Sequence, residues 1–412
     1  MIPSEPEVAI VGAGPAGAAA ARALAAAGIN DVVVLEREPV PGGIPRFCDH
    51  PTFGIREFGR LLTGPQYAER LVPFFAGATL ACRTTVERIG TDLELDLSTP
   101  DGLQVIRPRR LLLATGIRET PRSARLVSGD RPSGVLTTGA LQRILHSSYR
   151  PAFRSAVVIG SELVSFSALL TLRKLGIRPV AMIEEHLRIT ARKPGDLVAR
   201  VLLGVPVLTS MRLLSINAVP DDPAKLASVT VAGPFGDRRD IACDCVVFTG
   251  HFVPEASLVS ALSCQLVDRR TRGPAVDQNW LTRHPRIFAA GNVLRPVETA
   301  GWVFAEGRAA GNAIAADIHG RLDSAARRIS IELRGPLRYV VPSALSAIAN
   351  GQQGQLQVRV AQECRGSILL RINGEVCWRS RLHTFLPERR LLVPVPTGSV
   401  VHAIELSLEA AA

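Results

Sequence analysis

Apolar residues in this chain come as short unbroken runs, alanine-rich stretches and, late in the sequence, alternation with polar residues. The run Val8 to Val11 is β-branched and leads into glycines at 12, 14 and 17. An alanine-rich stretch of helical length follows, then a second β run from Val32 to Leu35 that ends at Glu36. The same order of strand, helix and strand recurs from Ala156 in AVVIGSELVSFSALLTLRKLGIRPVAMIEE, with Glu184 where the terminal acid falls. Between these units LLLATGIRETPR (111–122) predicts an apolar strand ending in Ala-Thr-Gly. Later, RIFAAGNVLRPVETAGWVFAEGRAAGNAIAADI (286–318) predicts a strand, a Gly-Asn turn and a helix starting near Thr299. From about 325 the segments LQVRVAQE, SILLRINGEVCWRSRL and RRLLVPVP alternate, with Asn373-Gly374 as a hairpin turn. The expected fold is therefore α/β. A first domain is split into 1–122 and 254–322, and a second, 123–253, is inserted in it. A small antiparallel β domain at 325–412 has docking or interface duty as its default role.

The first unit has the arrangement a dinucleotide needs. Gly12 allows the tight turn, and Gly14 lets backbone N–H groups reach a pyrophosphate at the positive helix end. Gly17 lets the helix pack on the sheet. Glu36, nineteen residues after Gly17, is placed to accept hydrogen bonds from ribose hydroxyls. The plain alternative is a glycine-rich turn in an ordinary α/β domain. The second unit keeps only the first of its glycines, as Gly160-Ser-Glu162-Leu-Val-Ser165. Glu162 stands where a small residue lets pyrophosphate approach, and its charge repels phosphate. A second Rossmann-like domain is expected there, serving as scaffold, with NAD(P) binding doubtful.

Composition adds bounds. The 412 residues suffice for two or three domains, and 47 % hydrophobic with 21 % charged residues is a globular balance. The net charge is +11, yet lysine occurs only at 174, 193 and 225, and the arginines are scattered. That pattern argues against nucleic-acid binding; an acidic protein partner or anionic membrane surface fits better. Seven dispersed cysteines (48, 82, 243, 245, 264, 364, 377) point to a reducing compartment and no disulfide framework. No CxxC or CxxxxC pair occurs, nor any four-cysteine set with iron–sulfur or zinc spacing, so no metal is expected. Alternation would place Cys243 and Cys245 on one face of a strand, as packing groups. No signal peptide or membrane span is read, and the expected location is cytoplasmic, or peripheral to a membrane through a complex.

The ordered set GAGPAG, Glu36, Gly42-Gly43, Ala114-Thr115-Gly116 and Ala290-Gly291-Asn292 resembles the FAD-dependent oxidoreductases with two dinucleotide-binding domains. These are the thioredoxin-reductase and glutathione-reductase relatives, often labelled pyridine nucleotide-disulfide oxidoreductase-like. Segments 42–71, 115–142 and 337–345 look more narrowly like flavoprotein subunits that accompany glycerol-3-phosphate, opine and amino-acid dehydrogenases and hydrogen cyanide synthase. The resemblance implies that Gly12, Ala13, Gly14, Pro15, Ala16 and Gly17 cradle the FAD pyrophosphate, with Gly43 nearby. It implies Glu36, with Arg37 beside it, at the adenosine ribose and the Val86 backbone at adenine. Ala114, Thr115 and Gly116 would close over the adenosine half. Gly291 and Asn292 would stand at the ribityl chain, where relatives have Asp. The helix opening near Thr299 would aim its N-terminus at flavin N1 and O2.

This sequence departs from the relatives in lacking redox cysteines, an intact second glycine fingerprint and a C-terminal iron–sulfur cysteine cluster. In this fold the loop after Gly43 passes close to the flavin, which makes Cys48 and His50 catalytic candidates, His50 for proton transfer. The competing reading has His50 and Asp49 organising the loop and Cys48 packed. Arg118, Glu119 and Arg122 read as an inter-domain ion-pair network, and His251 as structural. The leading functional expectation is the flavoprotein subunit of a heteromeric dehydrogenase. Its partners would be a second flavoprotein subunit and a small iron–sulfur protein. A free-standing NAD(P)H-dependent flavin reductase and a non-catalytic adenine-nucleotide-binding subunit are the alternatives.

Overall fold

The strand Val8–Val11 is buried at all four positions, because it lies at the centre of a parallel sheet covered on both faces. It pairs in parallel with Val32–Glu36 on one side and Arg110–Leu113 on the other, Val8 facing Val32 and Arg110. Thr79–Cys82 and Ile287–Ala289 form the edges of these five strands. Chain order thus reverses at Val8–Val11, and the crevice beyond its carboxyl end is where such sheets bind ligands. The computed structural model describes residues 2–191, 195–322, 327–346, 354–387, 389–395 and 401–410.

Two helices meet over this strand. Pro15–Ala26 starts with proline at its first turn and buries Ala16, Ala19, Ala20 and Ala23. It crosses Ala300–Ile318, whose N-cap is Thr299. Small residues let the backbones touch: a methyl on Gly307 would lie 2.1 Å from the Ala16 carbonyl oxygen, and one on Gly311 2.7 Å from that of Ala20.

A second parallel sheet takes Val135–Thr137, Cys245–Phe248, Ser155–Ile159, Arg178–Ile183 and Val207–Leu208, in that spatial order. The chain passes between the two sheets twice, through Ile117–Glu119 and Phe252–Pro254, which pair antiparallel. Cys243 and Cys245 do not share a face. Cys243 packs with Ile216, Val229 and Phe248, whereas Cys245 packs with Leu141, Ala168 and Val247 on the helix side. The cause is a break in the strand: Arg238–Ala242 belongs to an antiparallel sheet, and Asp244 turns the chain by accepting the Arg154 and Ser155 N–H groups.

The C-terminal domain starts beyond residues 323–326, so the boundary expected near 325 lies outside the described residues. Its hairpin Cys364–Ile372 and Glu375–Arg379 turns at Asn373 and Gly374, both with positive φ as a type I′ turn requires. The pairing is antiparallel except where the domain's first and last strands, Arg328–Arg334 and Ile404–Ala410, run side by side in parallel. This domain is welded to the first. Tyr339 and Val341 enter the core that holds Val276 and Leu294, and Gln278 bonds Ser346. Among the described residues no helix is long and apolar enough to cross a membrane.

Candidate functional site

The first glycine turn is built by backbone constraints that side chains would break. Gly12 has φ +108°, and a methyl there would meet the Ala114 carbonyl oxygen at 2.5 Å. Gly14 caps the helix with no side-chain hydrogen bond, and the first helical turn carries no acid of its own. The Gly42-Gly43 turn closes onto it: the Gly42 N–H donates to the Ala13 carbonyl, and a methyl on Gly43 would lie 2.9 Å from the Gly14 Cα. Glu36 is buried, accepting the Ala13 N–H at 2.8 Å and the Glu38 N–H at 2.9 Å. The segment leading to Val86 hydrogen-bonds back to this corner, Thr84 N–H to Glu36 and Arg83 N–H to Glu38. Arg37 is exposed beside it. Ala114 lies over Gly12, and Thr115 and Gly116 tie to Glu255 at the crossing between domains. A bare helix end, two abutting glycine turns and a buried acid fit the diphosphate and ribose of a dinucleotide.

Gly291 and Thr299 come to the same place. A methyl on Gly291 would touch Ala16 and Val303, each at 3.0 Å, so Asn292 starts its loop wedged between the two helices. The Asn292 amide clamps that loop, accepting the Glu298 N–H at 2.7 Å and donating to the Glu298 carbonyl at 3.3 Å. Beyond it lies a cluster not expected from sequence. Arg295, with no exposed surface, pairs with Glu306 and donates to Gln357 at 3.0 Å. Arg359 and Arg390 each pair with Glu298. Burial pushes the Glu298 carboxyl up, but Arg295, Arg390 and Arg359 outweigh it and hold it below the ordinary range. A lone glutamate in the apolar helix run GWVFAEGRAAG was the available signal.

The second glycine turn is occupied by its own groups. Glu162 folds its carboxylate back between Gly160 and Gly250, where a methyl on Gly250 would lie 2.1 Å from Glu162 Oε1. Thr249 and Ser165 donate to that carboxylate at 3.0 and 3.2 Å, and burial pushes its carboxyl up from the ordinary range. Glu184 accepts the Ser161 hydroxyl and the His186 N–H. Thr190 N–H closes onto Ser161 Oγ at 2.9 Å.

Cys48 and His50 are engaged by groups of their own loop and, for Cys48, of the inserted domain. The Cys48 thiol is buried, takes a contact from Gln142 Nε2 at 3.6 Å and is pushed up to about 12 by burial. This is the environment of a packed thiol, opposite to what a nucleophile needs. His50 bonds Thr52 Oγ1 at 2.9 Å and stacks on Phe53. Asp49 instead joins the domains, bonding His146 at 3.1 Å and Lys174 at 3.0 Å, and Arg143 pairs with Glu38 nearby. Among the described residues Arg122 makes no ion pair; it binds carbonyls of residues 127–130, while Arg118 approaches Glu255 at 3.6 Å. We expect native alkylation to label exposed Cys264 and Cys377 first, and Cys48, Cys243 and Cys245 only on unfolding. Peptide mass spectrometry checks this, and native labelling of Cys48 would contradict it.

An open cavity of about 560 Å³ lined by Glu185, Ser210, Arg212 and Arg238 lies on the inserted domain and includes none of these residues. Among the described residues no group of three or more His, Cys, Asp or Glu is placed to hold a metal ion.

Solved structures of similar fold include a thioredoxin reductase from T. acidophilum, at 20 % identity and TM-score 0.64, covering 77 % of this chain and 100 % of that one. An NAD-dependent persulfide reductase from A. fulgidus is 18 % identical with TM-score 0.59, covering 89 % of this chain and 67 % of that one. L-proline dehydrogenase from P. horikoshii is 17 % identical with TM-score 0.55, covering 76 % and 56 % respectively. No curated protein matches this chain. The profile of the pyridine nucleotide-disulphide oxidoreductases matches residues 6–313, three quarters of the sequence and both glycine turns, and the chain belongs to that family.

Proposed function

We propose that this chain is the FAD-bearing subunit of a heteromeric dehydrogenase, receiving electrons from a substrate-oxidising partner and not from NAD(P)H. The family implies FAD, and the first glycine turn fits its ADP half. Bound there, FAD supplies two-electron redox chemistry. The chain's own part is to hold the diphosphate on the helix end, the ribose at Glu36, and the far half between Asn292 and the Thr299 helix start.

The observation that carries the reading is the second glycine turn, where the Glu162 carboxylate fills the space beside Gly250 and Glu184 is engaged by Ser161 and His186. Whatever its protonation state, the Glu162 side chain fills the space a diphosphate would need, and when ionised it also repels phosphate. Burial disfavours the Cys48 thiolate, which weighs against disulfide-reductase chemistry at this residue, although several proteins of similar fold are named for it. On the segment after Gly43, Ile44, Ile55 and Leu61 are 50, 63 and 59 % exposed, an apolar surface for a partner to cover. The partners this reading calls for are a second flavoprotein subunit and a small iron–sulfur protein.

The purified chain is expected to be yellow and to keep its visible spectrum when NADH, then NADPH, is added without oxygen. Rapid bleaching by either would replace this reading with a free-standing reductase. A colourless protein holding an adenine nucleotide would replace it with a non-catalytic role.

A further inference from the structure

We propose that the C-terminal β domain completes the flavin site, and that Gln357, Arg359 and Arg390 are positioning residues for FAD. The proposal rests on the reading that FAD occupies the first glycine turn. Its starting point is the loop 292–299, which joins the two features at the far end of that site: Asn292 and the helix N-cap Thr299.

The Asn292, Arg295 and Glu298 side chains of this loop are all held. The Asn292 amide closes on the backbone of Glu298. Both Glu298 carboxylate oxygens are taken by the C-terminal domain, one by Arg359 and the other by Arg390. Tyr339 Oη donates to the Pro296 carbonyl at 3.3 Å. Arg295 reaches Glu306 on the helix and Gln357 on the C-terminal strand, and Gln357 donates to Glu306 at 2.8 Å. Gln357 and Arg359 are two apart on the strand Gly354–Val360 and so point to one face, at the loop. Arg390 also lies 3.8 Å from the centre of the Trp302 ring, with Arg56 equally close to that ring. One C-terminal side chain therefore touches both the loop and the first turn of the helix. The path from Arg359 to Asn292 runs through a single residue, Glu298.

Energetics argue for geometry over adhesion. Tyr339 and Val341 already supply an apolar weld between the domains. Burying three guanidiniums against two carboxylates is costly, and Nε of Arg295, Arg359 and Arg390 makes no hydrogen bond among the described residues. What such a network adds is one fixed arrangement of directional bonds. Three cations against two anions also leave a net positive charge in low dielectric beside the helix start, of the same sign as the helix dipole.

The test uses the full chain loaded with FAD and the variants Arg359→Met, Glu298→Gln and Gln357→Leu. Flavin affinity comes from released-flavin fluorescence, midpoint potential from redox titration, and fold integrity from circular dichroism and melting. Each variant is expected to bind FAD about tenfold more weakly. The potential should fall in Arg359→Met, which removes a cation, and rise in Glu298→Gln, which removes an anion. General loosening would move both the same way. Should Arg359→Met fail to fold, neutral Gln357→Leu still decides. Folded variants with wild-type affinity, or potentials shifting in the same sense, overturn the proposal. A wild type that binds no FAD fails the cofactor reading instead.

Discussion

Gly17→Ala is expected to give a protein that purifies nearly free of flavin and melts well below the parent. The new methyl would lie 2.0 Å from the Gly12 carbonyl oxygen and 3.2 Å from its carbon. Gly12 has no room to retreat, since its N–H is bonded to Leu35 at 2.9 Å and the Ala114 carbonyl lies behind it. The helix Pro15–Ala26 has to move outward, and there it meets Gly307, whose Cα already abuts the Ala16 backbone. Forced overpacking of this kind costs roughly 1–3 kcal/mol. The displacement also draws the helix N–H groups away from the Gly42-Gly43 turn, so flavin retention should suffer more than stability. Gly28→Ala is the control: φ there is +81° but nothing lies within 4 Å of a methyl. It should cost about 1 kcal/mol through backbone strain and keep its flavin. Flavin-to-protein ratios from absorbance, with melting curves, separate the two. A flavin-replete Gly17→Ala protein would show that this helix end does not hold the cofactor.

What the sequence made readable was local. The unit from Val8 to Glu36 is contiguous, and each glycine's role follows from a neighbour a few residues away, so turn, helix and acid are legible in the residues alone. The start of the helix at Thr299 and the Asn373-Gly374 hairpin were readable for the same reason. The loss of the second fingerprint was visible as Glu162, but not that its carboxylate would fold inward, because Thr249 and Gly250 sit about ninety residues away. Cys243 and Cys245 misled because alternation assumes one continuous strand, and Asp244 breaks it. The charged cluster was out of reach. Arg295 and Glu298 lie in a short loop, and the C-terminal groups that hold them are 62 residues away for Arg295 (Gln357) and 61 and 92 for Glu298 (Arg359 and Arg390). Cys48 shows the limit of motif reading: its loop does follow the turn that abuts Gly14, but its thiol is held between the Ile44 carbonyl of its own loop and Gln142 of the inserted domain, a contact 94 residues away in sequence.

Glu306→Leu is expected to be the most destabilising single change in the cluster, while pairing it with Arg295→Met should recover most of the loss. In the single variant, Arg295 keeps its charge with no exposed surface and loses both carboxylate oxygens, leaving Gln357 and, at 3.8 Å, Glu298. Orphaning a buried charge in this way costs about 3–5 kcal/mol, whereas replacing a whole buried pair by apolar groups of similar size is often neutral or better. Urea unfolding at a fixed excess of FAD should therefore give a coupling energy of several kcal/mol in the double-mutant cycle. Simple additivity would mean that Glu306 does not carry Arg295. Acid adds an independent check through Glu298. Its carboxyl is held below the ordinary value of 4.5 in the folded chain, so the stability it lends is fully present above that value. That stability is lost as pH falls through the lower folded value, when the proton taken up breaks the pairing with Arg359 and Arg390. Wild-type urea midpoints should drop through this acid range, and Glu298→Gln, which has no carboxylate to protonate, should begin lower and fall less. Parallel acid limbs in the two proteins would place the pH-sensitive contact outside this cluster.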